Sequence, residues 1–261
     1  MAEANSRSRP VLLLSDLHLS AEATELRKGF LAFLAGPARS AQAVYILGDL
    51  FHAWAGDDLG LIDFKAEYQA LKELTSSGVP VSFMHGNRDF LIGSRWAAAT
   101  GVRILPDPFI AKLPDGPALL SHGDILCTDD RAYLRYRRVV RNRVVQWLFL
   151  HLSVRLRRAI THRLRSGSTA RQQQVGAGTI SDVNAAAVRA ALLDHQQTRL
   201  IHGHTHRPAR HDIALPNVNG CRIVLADWRP SRMEYLLCDA QGCHRVSLNL
   251  HPPTPEQGSP A

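Results

Sequence analysis

The feature that most constrains this chain is a pattern repeated five times, a short apolar run that stops at a metal-capable side chain. Val11-Leu12-Leu13-Leu14-Ser15 leads into Asp16-Leu17-His18, and Val44-Tyr45-Ile46-Leu47-Gly48 leads into Asp49. Val81-Ser82-Phe83-Met84 leads into His85-Gly86-Asn87, Ala118-Leu119-Leu120-Ser121 into His122, and Leu200-Ile201 into His202-Gly203-His204. Runs this short and continuously apolar fit strands buried on both faces, which lose the alternation of half-exposed strands. On open α/β sheets, sites form in the crevice that the carboxyl ends of strands face. The pattern therefore predicts an α/β fold with Asp16, His18, Asp49, Asn87, His122, His202 and His204 converging on one crevice.

In extended chain, residues two apart leave the same face, so Asp16 with His18, and His202 with His204, can each reach one cluster. Glycines at 48, 86, 123 and 203 let the backbone turn sharply and approach closely. Imidazole mixed with carboxylate suits manganese, zinc or iron better than calcium. Each piece alone has a plainer reading: Asp49 as a helix cap, Asn87 as a turn residue, His122 as a hydrogen-bonded core histidine. The run His202-Gly203-His204-Thr205-His206 is harder to explain that way, because three alternating histidines are costly in a core without a metal.

Taken with their neighbours, these blocks resemble the calcineurin-like metallophosphoesterases, and within them the UDP-2,3-diacylglucosamine hydrolase family of lipid A synthesis. The matching motifs are Ser15-Asp16-Leu17-His18-Leu19, Gly48-Asp49-Leu50-Phe51, Gly56-Asp57-Asp58 and His85-Gly86-Asn87-Arg88-Asp89-Phe90-Leu91. They continue with His122-Gly123-Asp124, Cys127-Thr128-Asp129-Asp130 and His202-Gly203-His204-Thr205-His206-Arg207-Pro208. The resemblance implies a four-layer α/β/β/α sandwich with a helical cap insertion, and two Mn2+ ions as cofactor. It implies that Asp16, His18, Asp49 and His204 hold one ion, and Asp49, Asn87, His122 and His202 the other. It further implies a lipid-linked UDP-sugar substrate cleaved at its pyrophosphate, with Asp49, Asn87 and Arg88 as the catalytic set.

At position 88 many members of the wider superfamily carry a histidine that can protonate an alkoxide leaving group. Arginine cannot, because its pKa is too high. It can fork onto phosphate oxygens and neutralise developing charge, which points to a leaving group that departs without a proton, such as a sugar 1-phosphate. The resemblance carries substrate contacts onto Asn87, Arg88, Asp130, Ser168 and His202. Gln172 stands where relatives have asparagine, and no lysine is present in that stretch.

Residues 131–171 hold twelve arginines and no lysine, aspartate or glutamate, a charge of +12 against +8 for the whole chain. Inside lies Val144-Val145-Gln146-Trp147-Leu148-Phe149-Leu150, far short of the roughly 20 apolar residues needed to span a bilayer. Arginine around such a segment suits an amphipathic insertion that meets an anionic membrane surface or an acyl-bearing substrate. Nucleic acid could also use the charge, but interleaved aromatics for base stacking are lacking, so no nucleic-acid partner is expected. Other readings are a different metal-dependent nucleotide pyrophosphatase or phosphodiesterase, and a non-catalytic scaffold, which would be expected to lose ligands.

A chain of 261 residues can bury a sizeable core as one domain with an insertion. The expected organisation is a flexible 1–9, a metallophosphoesterase domain over 10–250 with 125–181 as the inserted cap, and a disordered 251–261. Residues 1–10 lack the apolar core of a signal peptide, and the four cysteines at 127, 221, 238 and 243 show no Cys-x-x-Cys pairing, so no disulfide is expected. The expected setting is the cytoplasm, peripherally bound to the inner face of the inner membrane. Helical periodicity covers 21–35, 61–77 and 182–196, and 222–226, 233–238 and 243–248 read as late strands completing a second sheet.

Overall fold

Two sheets lie face to face with helices on their outer sides in the computed structural model, which describes residues 9–175 and 182–249, the side chains of 166–175 excepted. The chain begins β1 (Val11–Leu14), α1 (Thr24–Ala35), β2 (Ala43–Ile46), α2 (Asp57–Asp63), α3 (Lys65–Ser76), β3 (Val81–Met84), α4 (Ser94–Thr100) and β4 (Arg103–Leu105). It continues with β5 (Phe109–Leu113), β6 (Gly116–Ser121), α5 (Arg131–Val140), α6 (Arg143–Leu150), α7 (Val154–Val175) and α8 (Ala185–Asp194). The last elements are β7 (Arg199–His202), β8 (Arg210–Ala214), β9 (Asn219–Val224), β10 (Glu234–Asp239) and β11 (Gly242–Ser247). The first sheet runs β11-β10-β1-β2-β3-β4 and the second β5-β6-β7-β9-β8.

The layering follows from the side-chain period of two along each strand. In β1, Leu12 and Leu14 point outward into the cluster built by Phe30, Phe33, Leu71 and Trp96 of α1, α3 and α4, while Val11 and Leu13 point between the sheets. In the second sheet, Leu119 and Leu200 meet Val188 and Leu192 of α8, while Leu120 and Ile201 face inward. The α/β/β/α sandwich is the result, and it explains why the ligand-bearing strands read as apolar without alternation.

Four expectations need correction. First, 61–77 is not one helix: Phe64 leaves helical geometry at φ −120° and ψ 43° to pack against Phe51 with ring centroids 4.4 Å apart, which separates α2 from α3. Second, only the strand near 222–226, observed as β9, joins the second sheet. β10 pairs antiparallel with β1, so it and β11 extend the first sheet. Third, Cys238 and Cys243 form a disulfide, because the hairpin of β10 and β11 places them directly opposite each other, a proximity that sequence spacing conceals. Fourth, sequence periodicity missed the short α4 and the strands β4, β5 and β8.

Phe33 is fully buried between Trp228 and Tyr235. Phe33→Ala is expected to lower unfolding free energy by about 3–5 kcal/mol, measured by urea titration. A loss below about 1 kcal/mol would contradict the packing described for the outer layer.

Candidate metal centre and adjoining cap pocket

Asp16 and His18 follow β1, Asp49 follows β2, and Asn87 follows β3, all from the first sheet; His122 follows β6, and His202 ends β7, in the second. The ligand turns are tight rather than extended. Asp16 (φ 57°), His18 (49°), Asp49 (52°), His204 (68°) and His206 (55°) are all left-handed, and among the described residues only Gln196 joins them outside glycine. Such backbone costs of order 1–3 kcal/mol per residue and persists where the surroundings hold it. Here Asp16 N–H donates to Gly48 O (3.1 Å), His18 N–H to Asp49 O (3.0 Å), and His204 N–H to the Asp16 carboxylate (2.8 Å). The extended Asp-x-His expected from spacing is therefore replaced by a curl that aims alternate side chains inward.

Close approach between turns is what makes the centre small. A Cβ on Gly48, itself at φ 87°, would lie 2.6 Å from His122 Nδ1, and one on Gly86 would lie 2.1 Å from Asp49 Oδ1. Asp89 staples the same turns, its carboxylate accepting from the backbone N–H of Gly86 (2.9 Å), Asp49 (3.3 Å) and Phe51 (3.3 Å).

Asp49 is buried at the middle, with Oδ1 3.9 Å from His122 Nε2 and Oδ2 3.9 Å from His18 Nδ1. On one side His206 Nε2 lies 3.3 Å from Asp16 Oδ1 and 3.3 Å from His18 Nε2. On the other, Asn87 Oδ1 lies 3.0 Å from both His122 Nε2 and His204 Nδ1. Ligand atoms bound to one ion at about 2.0–2.2 Å would stand roughly 3.3–3.6 Å apart, so the first spacing fits an ion. Asp16, His18 and His206 form one group able to hold a metal, and Asp16, Asp49 and His122 another.

The hydrogen-bonding pattern points the same way. His122 Nδ1 donates to Leu47 O at 2.9 Å, so a neutral His122 turns the lone pair of Nε2 onto the Asn87 oxygen. Two lone pairs 3.0 Å apart repel, and a cation between them, proton or metal, relieves the conflict. Burial opposes charging His122, but the carboxylates of Asp49, Asp16 and Asp124 outweigh it and raise its pKa to about 9. Burial, reinforced by His122, takes His204 down to about 3, which keeps that imidazole a free base for a metal.

The structure brings Asp16, His18, Asp49, Asn87, His122 and His204 together and adds His206, which the sequence-based ligand set left out. His202 stands apart: its Nδ1 donates to Gly203 O at 2.8 Å, and burial lowers its pKa to about 4. The signal for His206 was present in the run of alternating histidines, but His202 ends a strand, and the histidines that turn toward Asp16 and Asn87 begin two residues later. Asp130 caps α5, accepting from Tyr133 N–H at 2.8 Å. Ser168 and Gln172 lie among residues whose side chains fall outside those described.

Arg88 joins the centre to the pocket beside it. Its backbone N–H donates to Asp49 Oδ1 at 2.8 Å, while its buried guanidinium leaves Nε and Nη1 without a hydrogen-bond partner. A charged fork left so is a ready anion site. Asp89, its sequence neighbour, is occupied by backbone N–H groups instead. The pocket encloses about 530 Å³ including its open mouth, and Arg88, Phe90, Tyr136, Val145, Phe149 and Leu164 are among its lining. Arginines of the helical insertion latch it to the body: Arg157 to Asp58 (2.5 Å) and to Ala55 O (2.7 Å), Arg158 to Asp63 (2.9 Å), and Arg137 to Asp124 (2.8 Å).

Residues 9–208 match the family model for calcineurin-like phosphoesterase. The chain is 46% identical over 242 residues to UDP-2,3-diacylglucosamine hydrolase of Edwardsiella ictaluri, covering 92% of this chain and 93% of that one. It is 45% identical over 219 residues to the protein of the same name in Pseudomonas fluorescens, covering 84% and 87%.

Gly86→Ala is expected to push the Asp49 carboxylate off its position and lower turnover by about 100-fold, the scale of an ångström-sized misplacement. Circular dichroism should stay native; full activity in this variant would mean that the close approach of the two turns is unimportant.

Proposed function

This chain belongs to the calcineurin-like phosphoesterases and, within them, to the UDP-2,3-diacylglucosamine hydrolases, and on that premise we propose that it cleaves the pyrophosphate of UDP-2,3-diacylglucosamine into UMP and 2,3-diacylglucosamine 1-phosphate. The observation that carries this reading is Arg88, whose backbone holds Asp49 and whose free guanidinium lines an apolar pocket. One side chain thus touches both the phosphate chemistry and the space for acyl chains.

Asp16, His18, Asp49 and His206 would hold one divalent ion, and Asp49, Asn87, His122 and His204 the other, with two Mn2+ as the assigned pair. When bound, such a pair polarises a phosphoryl oxygen and lowers the pKa of a water to the point where it serves as nucleophile at neutral pH. Asp49, with Oδ2 toward His18 and Oδ1 toward His122, would contribute to both sides. Arg88 forks onto the phosphate and neutralises charge as the P–O bond to the sugar 1-phosphate breaks, and that leaving group needs no proton. The attacking oxygen ends on UMP. The residues 125–181 act as the cap, and Phe149 from it joins Trp54 and Phe90 of the body in excluding water around the acyl chains.

The outer face of the cap supports a peripheral place on an anionic membrane surface, on the cytoplasmic side of the inner membrane. Val144 (64% exposed), Trp147 (57%) and Leu148 (55%) stand in solvent on α6, beside the exposed Arg143 and, at the start of α7, Arg155. Among the described residues no helix is long and apolar enough to cross a membrane. A nucleic-acid track is disfavoured because Arg137, Arg141 and Arg157 are committed to contacts with the body.

Turnover of the diacylated UDP-sugar in 18-oxygen water, followed by mass spectrometry with and without manganese, should place the label in UMP and only with metal. Label in the sugar phosphate would overturn the assigned direction of attack, and equal turnover of the deacylated UDP-sugar would remove the acyl pocket from the reading. His206→Ala is expected to lose one ion on metal analysis while His202→Ala keeps both. Arg88→Ala should lower kcat by about 100- to 1,000-fold. A Val144→Ser/Trp147→Ser/Leu148→Ser variant should lose sedimentation with vesicles of anionic lipid and keep its metal content.

A further inference from the structure

The metal assignment above leaves one buried carboxylate beside the centre without a role. Asp227 is 4% exposed and follows β9 by three residues, facing His206 on the side opposite Asp16. Arg229 Nε donates to its Oδ2 at 2.7 Å, and Arg232 Nη2 donates to its Oδ1. The two arginines are themselves tied by reciprocal backbone hydrogen bonds of 2.8 and 2.9 Å, so the carboxylate sits in a closed clamp. Its Oδ2 faces His206 Nδ1 at 3.9 Å, within ion-pairing reach. The next residue, Trp228, gives its backbone N–H to Asp16 O at 3.0 Å, and its indole is pinned to Glu234 O at 2.7 Å. The loop that carries Asp227 is therefore registered directly against a ligand turn.

We infer that Asp227 is a positioning residue that acts through His206, its charge holding the ring with Nδ1 turned toward it and Nε2 turned toward Asp16 and the first ion. A carboxylate behind a ligating histidine holds the ring orientation and raises its basicity, and its removal typically weakens metal binding by 10- to 100-fold. On the other side His122 is backed differently, with Asp124 among the carboxylates that favour its charged form. Its ring is oriented by the carbonyl of Leu47, a weaker and uncharged acceptor. The inference rests on the reading that His206 is a ligand, and the clamp by two arginines explains why an acidic residue is buried there at all: it is neutralised on one face and directed on the other.

The test is Mn2+ titration of apo protein by calorimetry, in wild type and in Asp227→Asn, each also in a His122→Ala background that leaves the first ion's ligands intact. The expected result is a first-ion affinity roughly 10- to 100-fold weaker in Asp227→Asn, with the second ion nearly unchanged and the apo melting temperature close to wild type. Should Asp227→Asn fold poorly, Arg232→Met, which loosens the clamp, is expected to give a smaller loss at the same ion. Wild-type affinity in both variants sinks the inference, as does equal weakening of both ions together with a lowered apo melting temperature, which would mark a structural role. His206→Ala retaining both ions would remove the ligand reading itself, a result separable from an inert Asp227→Asn in a protein where His206→Ala does lose an ion.

Discussion

The site is organised around one buried carboxylate that stands between two groups of candidate ligands. Asp49 can offer an oxygen to each side only because it occupies left-handed backbone at the end of β2, is gripped by the Arg88 N–H, and has Gly86 packed against it where any side chain would collide. Burial raises its pKa, so an isolated Asp49 would resist ionising. A cation is a natural partner for a carboxylate in such a place, and the Asn87 oxygen set 3.0 Å from His122 Nε2 shares the same requirement.

The sandwich exists to hold these turns in register. The first sheet brings Asp16, Asp49 and Asn87, the second His122 and the histidines after β7, and the inter-sheet core of Val11, Leu13, Leu120 and Ile201 sets the separation between them. Strain is concentrated in the ligand turns and is balanced by rigid strands immediately upstream. The helical insertion adds a second layer of constraint, because its arginines are spent partly on carboxylates of the body and partly on backbone carbonyls near Gly86. Cap and catalytic centre thus form one continuous wall instead of two units in loose contact.

Much of this was written plainly in the sequence. Continuous apolar runs ending in polar ligands revealed the strands and their carboxyl ends, because burial on both faces erases alternation in a way no surface element imitates. What stayed hidden depended on backbone curl. From spacing alone, His202 and His204 look like a pair across extended chain, yet the strand ends at His202 and the left-handed turns at His204 and His206 bring those two inward. The break at Phe64 and the Cys238–Cys243 bond were hidden for a related reason: each is set by a tertiary neighbour, an aromatic ring in one case and a hairpin partner in the other. The partition of late strands between sheets is likewise decided by which edge is vacant, information that local pattern does not carry.

Arg88 is anchored by its main chain while its side chain projects into the pocket. The hook on Asp49 is made by an atom every residue but proline possesses, so the side chain can be exchanged without loosening the metal scaffold. A histidine at that position, as in many members of the superfamily, would turn the same cradle toward leaving groups that must be protonated. Diversification of this fold across phosphoester chemistries can then proceed by single replacements at a site whose backbone anchor is independent of the side chain.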